Sequence, residues 1–214
     1  MTEDGQQLIR PKNELGTRIV VGVALIVIAS TAVYFGSIAL WLLVILTSLG
    51  IMSEWAYLIG HSQNRKLAMY ALSVPLAIIA PMAAGPSFLA LGLIMGAAMF
   101  VAVFDRSTQL AAGVFYVGLP ALAVLYLREI DQGILILIWT LALVWATDIG
   151  AYFSGRAIGG PKLSPRYSPN KTWAGLMGGV ILTAAFSYML HRYWGLSFDL
   201  VLLSIPLALS LIHI

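Results

Sequence analysis

No cysteine occurs in the 214-residue chain, and charged residues make up only 10% of it. The first absence removes disulfide frameworks, zinc–thiolate sites and cysteine nucleophiles from consideration. The second removes the soluble class, because ordinary globular domains carry about 25% charged residues. Acidic residues are fewer than basic ones, 9 against 12, and none lies between Asp148 and Asp199. What fills the space is apolar: 60% of residues are hydrophobic and the mean hydropathy is +0.93. A soluble enzyme, a disordered protein and a nucleic-acid binder are thereby excluded, and nucleic acid is not an expected partner.

A bilayer-crossing helix needs about 20 mostly apolar residues. The apolar runs at 19–33, 37–58, 67–82, 87–104, 111–127, 132–147 and 172–190, with a last one starting at Leu200, predict about eight transmembrane helices. Strands are excluded as the spanning form, because these runs are apolar on every face and lack two-residue alternation. The fold class expected is therefore an all-α polytopic membrane protein. Pro75, Pro81 and Pro120 are compatible with this, since neighbouring helices can satisfy freed backbone groups. Gly22, Gly92, Gly96, Gly178 and Gly179 are read as sites of close helix packing.

Residues 1–18 are polar and of mixed sign, and they lack the apolar core and cleavage site of a secretory signal. They are read as a cytoplasmic N-terminal segment. With that end inside, Arg10, Lys12, Arg18, Arg65, Lys66, Arg106, Arg156, Lys162, Arg166 and Lys171 fall on the cytoplasmic side. Only Arg128 and Arg192 fall opposite, as the positive-inside rule requires.

One connection stands out. The segment 148–175, DIGAYFSGRAIGGPKLSPRYSPNKTWAG, is read as a long cytoplasmic loop, and long ordered loops are commonly functional. It holds Arg156, Lys162, Arg166 and Lys171, with the hydroxyls of Ser164, Ser168 and Thr172 between them. Such a set suits a phosphate-rich ligand. It equally fits a plain positive-inside loop or a surface for anionic lipid. Two features favour the phosphate. Ser168-Pro169-Asn170-Lys171-Thr172 leads into a span, where backbone donors and the helix dipole favour an anion. Asp148 closes a long uncharged run, and an ionisable group there is a candidate metal ligand or partner of a base; the plain alternative is a charge marking the membrane boundary. The stretch 155–162 superficially resembles a nucleotide-binding P-loop. It lacks the Gly-Lys-Ser/Thr ending, carries Pro161 and follows a membrane helix, so that reading is rejected. His61 and His191, at span ends, are read as interfacial residues.

The string Asp148-x-Gly150-Ala151-Tyr152-Phe153-x-Gly155-Arg156, then Lys162-Leu163-x-Pro165, then Ser168-Pro169-Asn170-Lys171-Thr172-Trp173-x-Gly175 resembles the phosphatidate cytidylyltransferase (CDP-diacylglycerol synthase) family. Glu54-Trp55 is similar to that family as well. The resemblance implies a nucleotidyltransferase of phospholipid biosynthesis in the bacterial inner membrane. It would take CTP and phosphatidic acid, with Mg2+ or another divalent cation, and release pyrophosphate. Lys171 and Asp148 are the candidate catalytic residues, Lys171 as a phosphate-neutralising cation and Asp148 as the candidate metal ligand. Ser168, Asn170 and Thr172 would orient phosphate oxygens, with Arg156 and Lys162 as further phosphate contacts. Ile149 and Ala174 depart from the family, which commonly has a small hydroxyl residue and a Glu at those places; an acid or salt-bridge role at 174 is thereby put in doubt.

A further family signature is missing from 176–214: a Lys-Arg and Lys-Asp pair, then Pro-Gly-His-Gly-Gly, then Asp-Arg with a final Asp. Its acids are those the resemblance implies for catalytic metal, so the remaining ligands are expected beyond residue 214. Residues 209–214, LSLIHI, translate an end sequence like that of a transposase-based sequencing adapter. The expectation is a C-terminally truncated transmembrane cytidylyltransferase domain over 19–208, an adapter-derived tail in which His213 is no ligand, and negligible turnover by this chain; a natural apolar C-terminus is the alternative. Two other functions stay open on sequence alone: a CTP-dependent lipid or polyprenol kinase, and a non-enzymatic anion transporter. Small-residue helix faces also admit a homodimer.

Overall fold

The computed structural model describes residues 14–165 and 168–213. Arg10, Lys12 and Arg166, counted above among the cytoplasmic bases, lie outside the described residues. The chain forms two compact units, Met1–Tyr126 and Leu127–Ile214.

The first unit contains α1 (Glu14–Phe35), α2 (Ser37–Leu58), a 3₁₀ turn (Ser62–Asn64), α3 (Arg65–Ile78), α4 (Phe88–Asp105) and most of α5 (Thr108–Glu129). Its interior is a seam of apolar side chains, among them Met52, Ala56, Ala68, Leu72, Ala90, Ile94 and Val114, all fully buried. The apolar run at 67–82 becomes α3, which has 14 residues. At 1.5 Å per residue it measures about 21 Å, against a hydrocarbon core of about 30 Å. Its last turn contains Pro75, and the indole of Trp41 donates to the Leu76 carbonyl at 2.9 Å. An orphan carbonyl at a helix end is thus satisfied from α2.

His61 has a specific partner set. Its Nδ1 lies 3.0 Å from Asp105 Oδ2, and the Asn64 amide donates to the other carboxylate oxygen. Ser107 Oγ lies 3.5 Å from His61 Nε2 and accepts from the Leu110 backbone N–H at 3.1 Å. The cluster pins the α2–α3 turn to the α4–α5 turn.

The second unit comprises α6 (Gly133–Ala157), the hairpin β1 (Lys162–Ser164) and β2 (Ser168–Thr172), α7 (Trp173–Trp194) and α8 (Phe198–His213). Here the structure corrects the sequence reading. The span expected to end at 147 continues for ten residues, so Asp148 and Arg156 lie on a helix and the connection proper is 158–172. The cause is packing. Gly150 of α6 rests directly on α7, where an added Cβ would stand 2.5 Å from the Gly178 carbonyl and 2.9 Å from Gly179 Cα. Gly155 and Gly175 are in contact as well, the Cβ position of each 3.6 Å from the other's Cα. Backbones this close hold α6 helical until Gly159 and Gly160 take left-handed φ values of 66° and 93° and end it.

Polar bridges run along the same interface. Thr147 and Thr183 hydroxyls are 2.8 Å apart, and the Trp139 indole donates to Ser187 Oγ at 2.9 Å. Trp139 also joins Leu143, Leu190, Leu196 and Val201 in a core shared with α8. His191 lies with its Nδ1 2.6 Å from the Leu196 carbonyl beyond the end of α7.

Eight α-helices are present among the described residues, and five of them, α2, α4, α5, α6 and α7, are long and apolar enough to cross a membrane. The apolar parts of α1 and α8, Val20–Phe35 and Phe198–Leu211, are shorter. The architecture is that of an all-α polytopic membrane protein. Of the glycines read as packing sites, Gly178 and Gly179 are so used, while Gly22, Gly92 and Gly96 have no neighbour within 4 Å of a Cβ position.

Candidate active site

Four elements of the second unit converge on one cavity of about 590 Å³. From α6 come Asp148, Ala151, Tyr152, Gly155 and Arg156. Spacings of three and four residues place these on one helix face. From β2 come Asn170, Lys171 and Thr172, and from the start of α7 come Gly175 and Leu176; Leu211 of α8 completes the wall. The floor is open because it is glycine and alanine: a Cβ on Gly175 would stand 2.9 Å from the Ala151 carbonyl.

The hairpin is what brings Asn170 and Lys171 to the helix face. β1 and β2 pair antiparallel, with Lys162 opposite Thr172 and Ser164 opposite Ser168. One backbone and one side-chain hydrogen bond fix the hairpin to α7. The Trp173 N–H donates to the Pro161 carbonyl at 3.1 Å, and Thr172 Oγ1 caps the helix by accepting from the Gly175 N–H at 3.1 Å. The backbone donors foreseen for an anion at this helix start are therefore partly used within the chain. Buried Thr172 spends an acceptor lone pair on the cap and keeps its O–H as a donor.

Five of the seven residues singled out from sequence line the cavity together: Asp148, Arg156, Asn170, Lys171 and Thr172. Lys162 and Ser168 do not; they sit on the hairpin beside it. Arg156 Nη1 donates to the Tyr152 hydroxyl at 2.9 Å. Tyr152 stands in the motif string but was not assigned to the site; its i, i+4 relation to both Asp148 and Arg156 becomes a signal only once α6 is carried past Thr147.

The charges are two cations, Arg156 and Lys171, with one carboxylate, Asp148. A larger cavity of about 690 Å³ in the first unit is lined by Val44, Thr47, Ser48, Ile51, Tyr116, Pro120 and similar residues, and no charged group lines it. Phosphate chemistry needs the charged cavity, not the larger one.

The sequence profile of the cytidylyltransferase family matches residues 16–214. The chain belongs to the cytidylyltransferase family. Among individual relatives, it is 34% identical over 205 residues to a phosphatidate cytidylyltransferase of Brucella suis biovar 1 (strain 1330), covering 90% of this chain and 76% of that protein. The phosphatidate cytidylyltransferase of Brucella melitensis biotype 1 is 36% identical over 173 residues, covering 78% of this chain and 64% of its own length. That of Pseudomonas aeruginosa PAO1 is 36% identical over 144 residues, or 59% and 52% of the two chains. The cavity thus lies in a member of a family defined by cytidylyl transfer.

Proposed function

We propose that this protein transfers the cytidylyl group of CTP to phosphatidic acid, giving CDP-diacylglycerol and pyrophosphate. One observation carries the reading: Arg156, Lys171 and Asn170 meet Asp148 in a single cavity built on membrane helices. The family membership and the names of the relatives agree with it.

In this reaction a phosphatidate oxygen attacks the α-phosphorus of CTP. The new O–P bond forms as the bond from the α-phosphorus to the bridging oxygen breaks, and pyrophosphate leaves with that electron pair. Such transfers depend on positioning and on neutralising charge spread over phosphate oxygens. Lys171 and Arg156 supply positive charge from two directions, one from the strand and one from the helix. Asn170 and the Thr172 hydroxyl donate hydrogen bonds that orient phosphate oxygens. Lys162 and Ser168, on the hairpin beside the cavity, contact the polyphosphate more peripherally.

The donor set also bears on a divalent cation. Asp148 is the only carboxylate lining the cavity, and no cluster of three or more His, Cys, Asp or Glu occurs among the described residues. Mg2+ commonly takes one or two carboxylates and completes its shell with substrate phosphates and water, so this set fits an ion that arrives on the triphosphate. Asp148 would hold it. When bound, the cation would supply positive charge to offset the charge that develops on phosphate oxygens.

The distribution of Lys and Arg supports an N-terminus and a hairpin on the cytoplasmic side of a bacterial inner membrane. Gly92 and Gly96 leave an open small-residue face on α4 that supports a homodimer.

The test is the fate of label in the full-length gene product, reconstituted with phosphatidic acid. Label at the α-phosphate of CTP is expected in the lipid extract and label at the γ-phosphate in released pyrophosphate. Label from the γ-phosphate in the lipid would instead make the protein a CTP-dependent kinase, and anion flux without nucleotide turnover a transporter.

A further inference from the structure

We infer that Tyr152 is a positioning residue for polyphosphate: its hydroxyl holds the Arg156 guanidinium at the wall of the charged cavity. The inference rests on reading that cavity as a polyphosphate site, and it assigns a role to a residue that need not itself touch the ligand.

Arg156 occupies the last turn of α6, where a long cationic side chain is free to extend past the helix end into water. It does not. Helical side chains lean toward the N-terminus, and Nη1 of Arg156 reaches back one turn to the Tyr152 hydroxyl at 2.9 Å. Both residues line the cavity with Asp148 and Lys171. Asp148 lies one turn below Tyr152, so the three residues stand as a ladder at i, i+4 and i+8 on one face.

The Tyr152 ring stands edge-on to Phe153 of its own helix with centroids 5.4 Å apart. Its hydroxyl is the polar feature that holds the guanidinium back along α6, beside the cavity that both residues line. A hydroxyl acceptor suits this task better than a carboxylate would. It orients the cation without cancelling its charge, and it leaves the other guanidinium N–H groups for phosphate oxygens. The surplus of two cations over one carboxylate is kept at the place where phosphates would bind.

The test measures binding of inorganic tripolyphosphate to the detergent-purified full chain by calorimetry, for wild type, Tyr152→Phe, Arg156→Gln and the double variant. Tyr152→Phe keeps the ring and removes only the hydroxyl. It is expected to weaken binding about threefold to tenfold, the range of one partly solvated hydrogen bond. In the Arg156→Gln background the same change is expected to do nothing further, because the group it positions is gone. A merely structural role would weaken both backgrounds alike. Unchanged affinity of Tyr152→Phe, multiplying effects in the double variant, or a wild type that does not bind tripolyphosphate would each overturn the inference. The label experiment on the reaction stands apart: coupling without cytidylyl transfer refutes the reaction and keeps the role of Tyr152, while transfer without coupling does the reverse.

Discussion

Asp105 illustrates how much a single side chain can hold in this protein. Its side chain is 2% exposed, and its two oxygens meet His61 and Asn64. A buried carboxylate is tolerated only when it is paired or hydrogen-bonded. Here the pairing fastens one inter-helix turn to another, and Ser107 extends it to the α5 cap. Replacing Asp105 by Ala orphans His61 and Asn64 together. The expected loss is about 1.5–3 kcal/mol, the range for hydrogen bonds to a charged group, read as a lower midpoint of thermal unfolding in detergent. His61→Ala alone is expected to lose less, since His61 is about one-third exposed and Asn64 still serves the carboxylate. Equal losses for the two variants would contradict this account.

The pair of α6 and α7 is the element on which the site depends. Between two lipid-soluble helices there is no hydrophobic drive to associate, so close packing and interhelical hydrogen bonds must supply it. Gly150, Gly178 and Gly179 provide the first, and Thr147–Thr183 with Trp139–Ser187 the second. The floor of the cavity is the upper end of that same seam, at Gly155 and Gly175. Gly150→Ala places a methyl against backbone that has no side chain to move aside. The expected outcome is a loss of about 1–3 kcal/mol, the usual size for overpacking, together with weaker CTP binding although the residue lies outside the cavity. A variant with wild-type stability in detergent would show that the seam can open without consequence. Gly50→Ala in α2 is the matched control, because nothing lies within 4 Å of its Cβ position.

For the chain as a whole, the absence of cysteine is an experimental asset as well as a compositional fact. Single-cysteine variants have a clean background for topology mapping. With ten of the twelve bases placed inside, Lys162→Cys is expected to react with a membrane-impermeant maleimide only in inverted vesicles, and Asp131→Cys only in intact spheroplasts. The opposite pattern would invert the orientation drawn from charge. This result does not depend on catalysis, so it tests the membrane reading separately from the chemical one.

Much of this protein is legible in its sequence because a bilayer is an undemanding reader. It requires long apolar runs, helical closure of backbone hydrogen bonds and an uneven placement of Lys and Arg, and all three are patterns along a line. The eight helices and the identity of five cavity residues follow from such patterns and from one dense motif string. The extension of α6 to Ala157, the hairpin that brings Lys171 to the cavity lined by Asp148, and the use of Thr172 as a helix cap do not. They depend on how closely Gly150 and Gly155 let one helix approach another, and on which donors that approach leaves occupied. Local composition marks residues 148–175 as polar and punctuated by glycine, which reads as a loop. Contact with α7 turns its first ten residues into a helix face, because a glycine that weakens a lone helix strengthens a packed one. That contact exists only in three dimensions, and it decides where the charges meet.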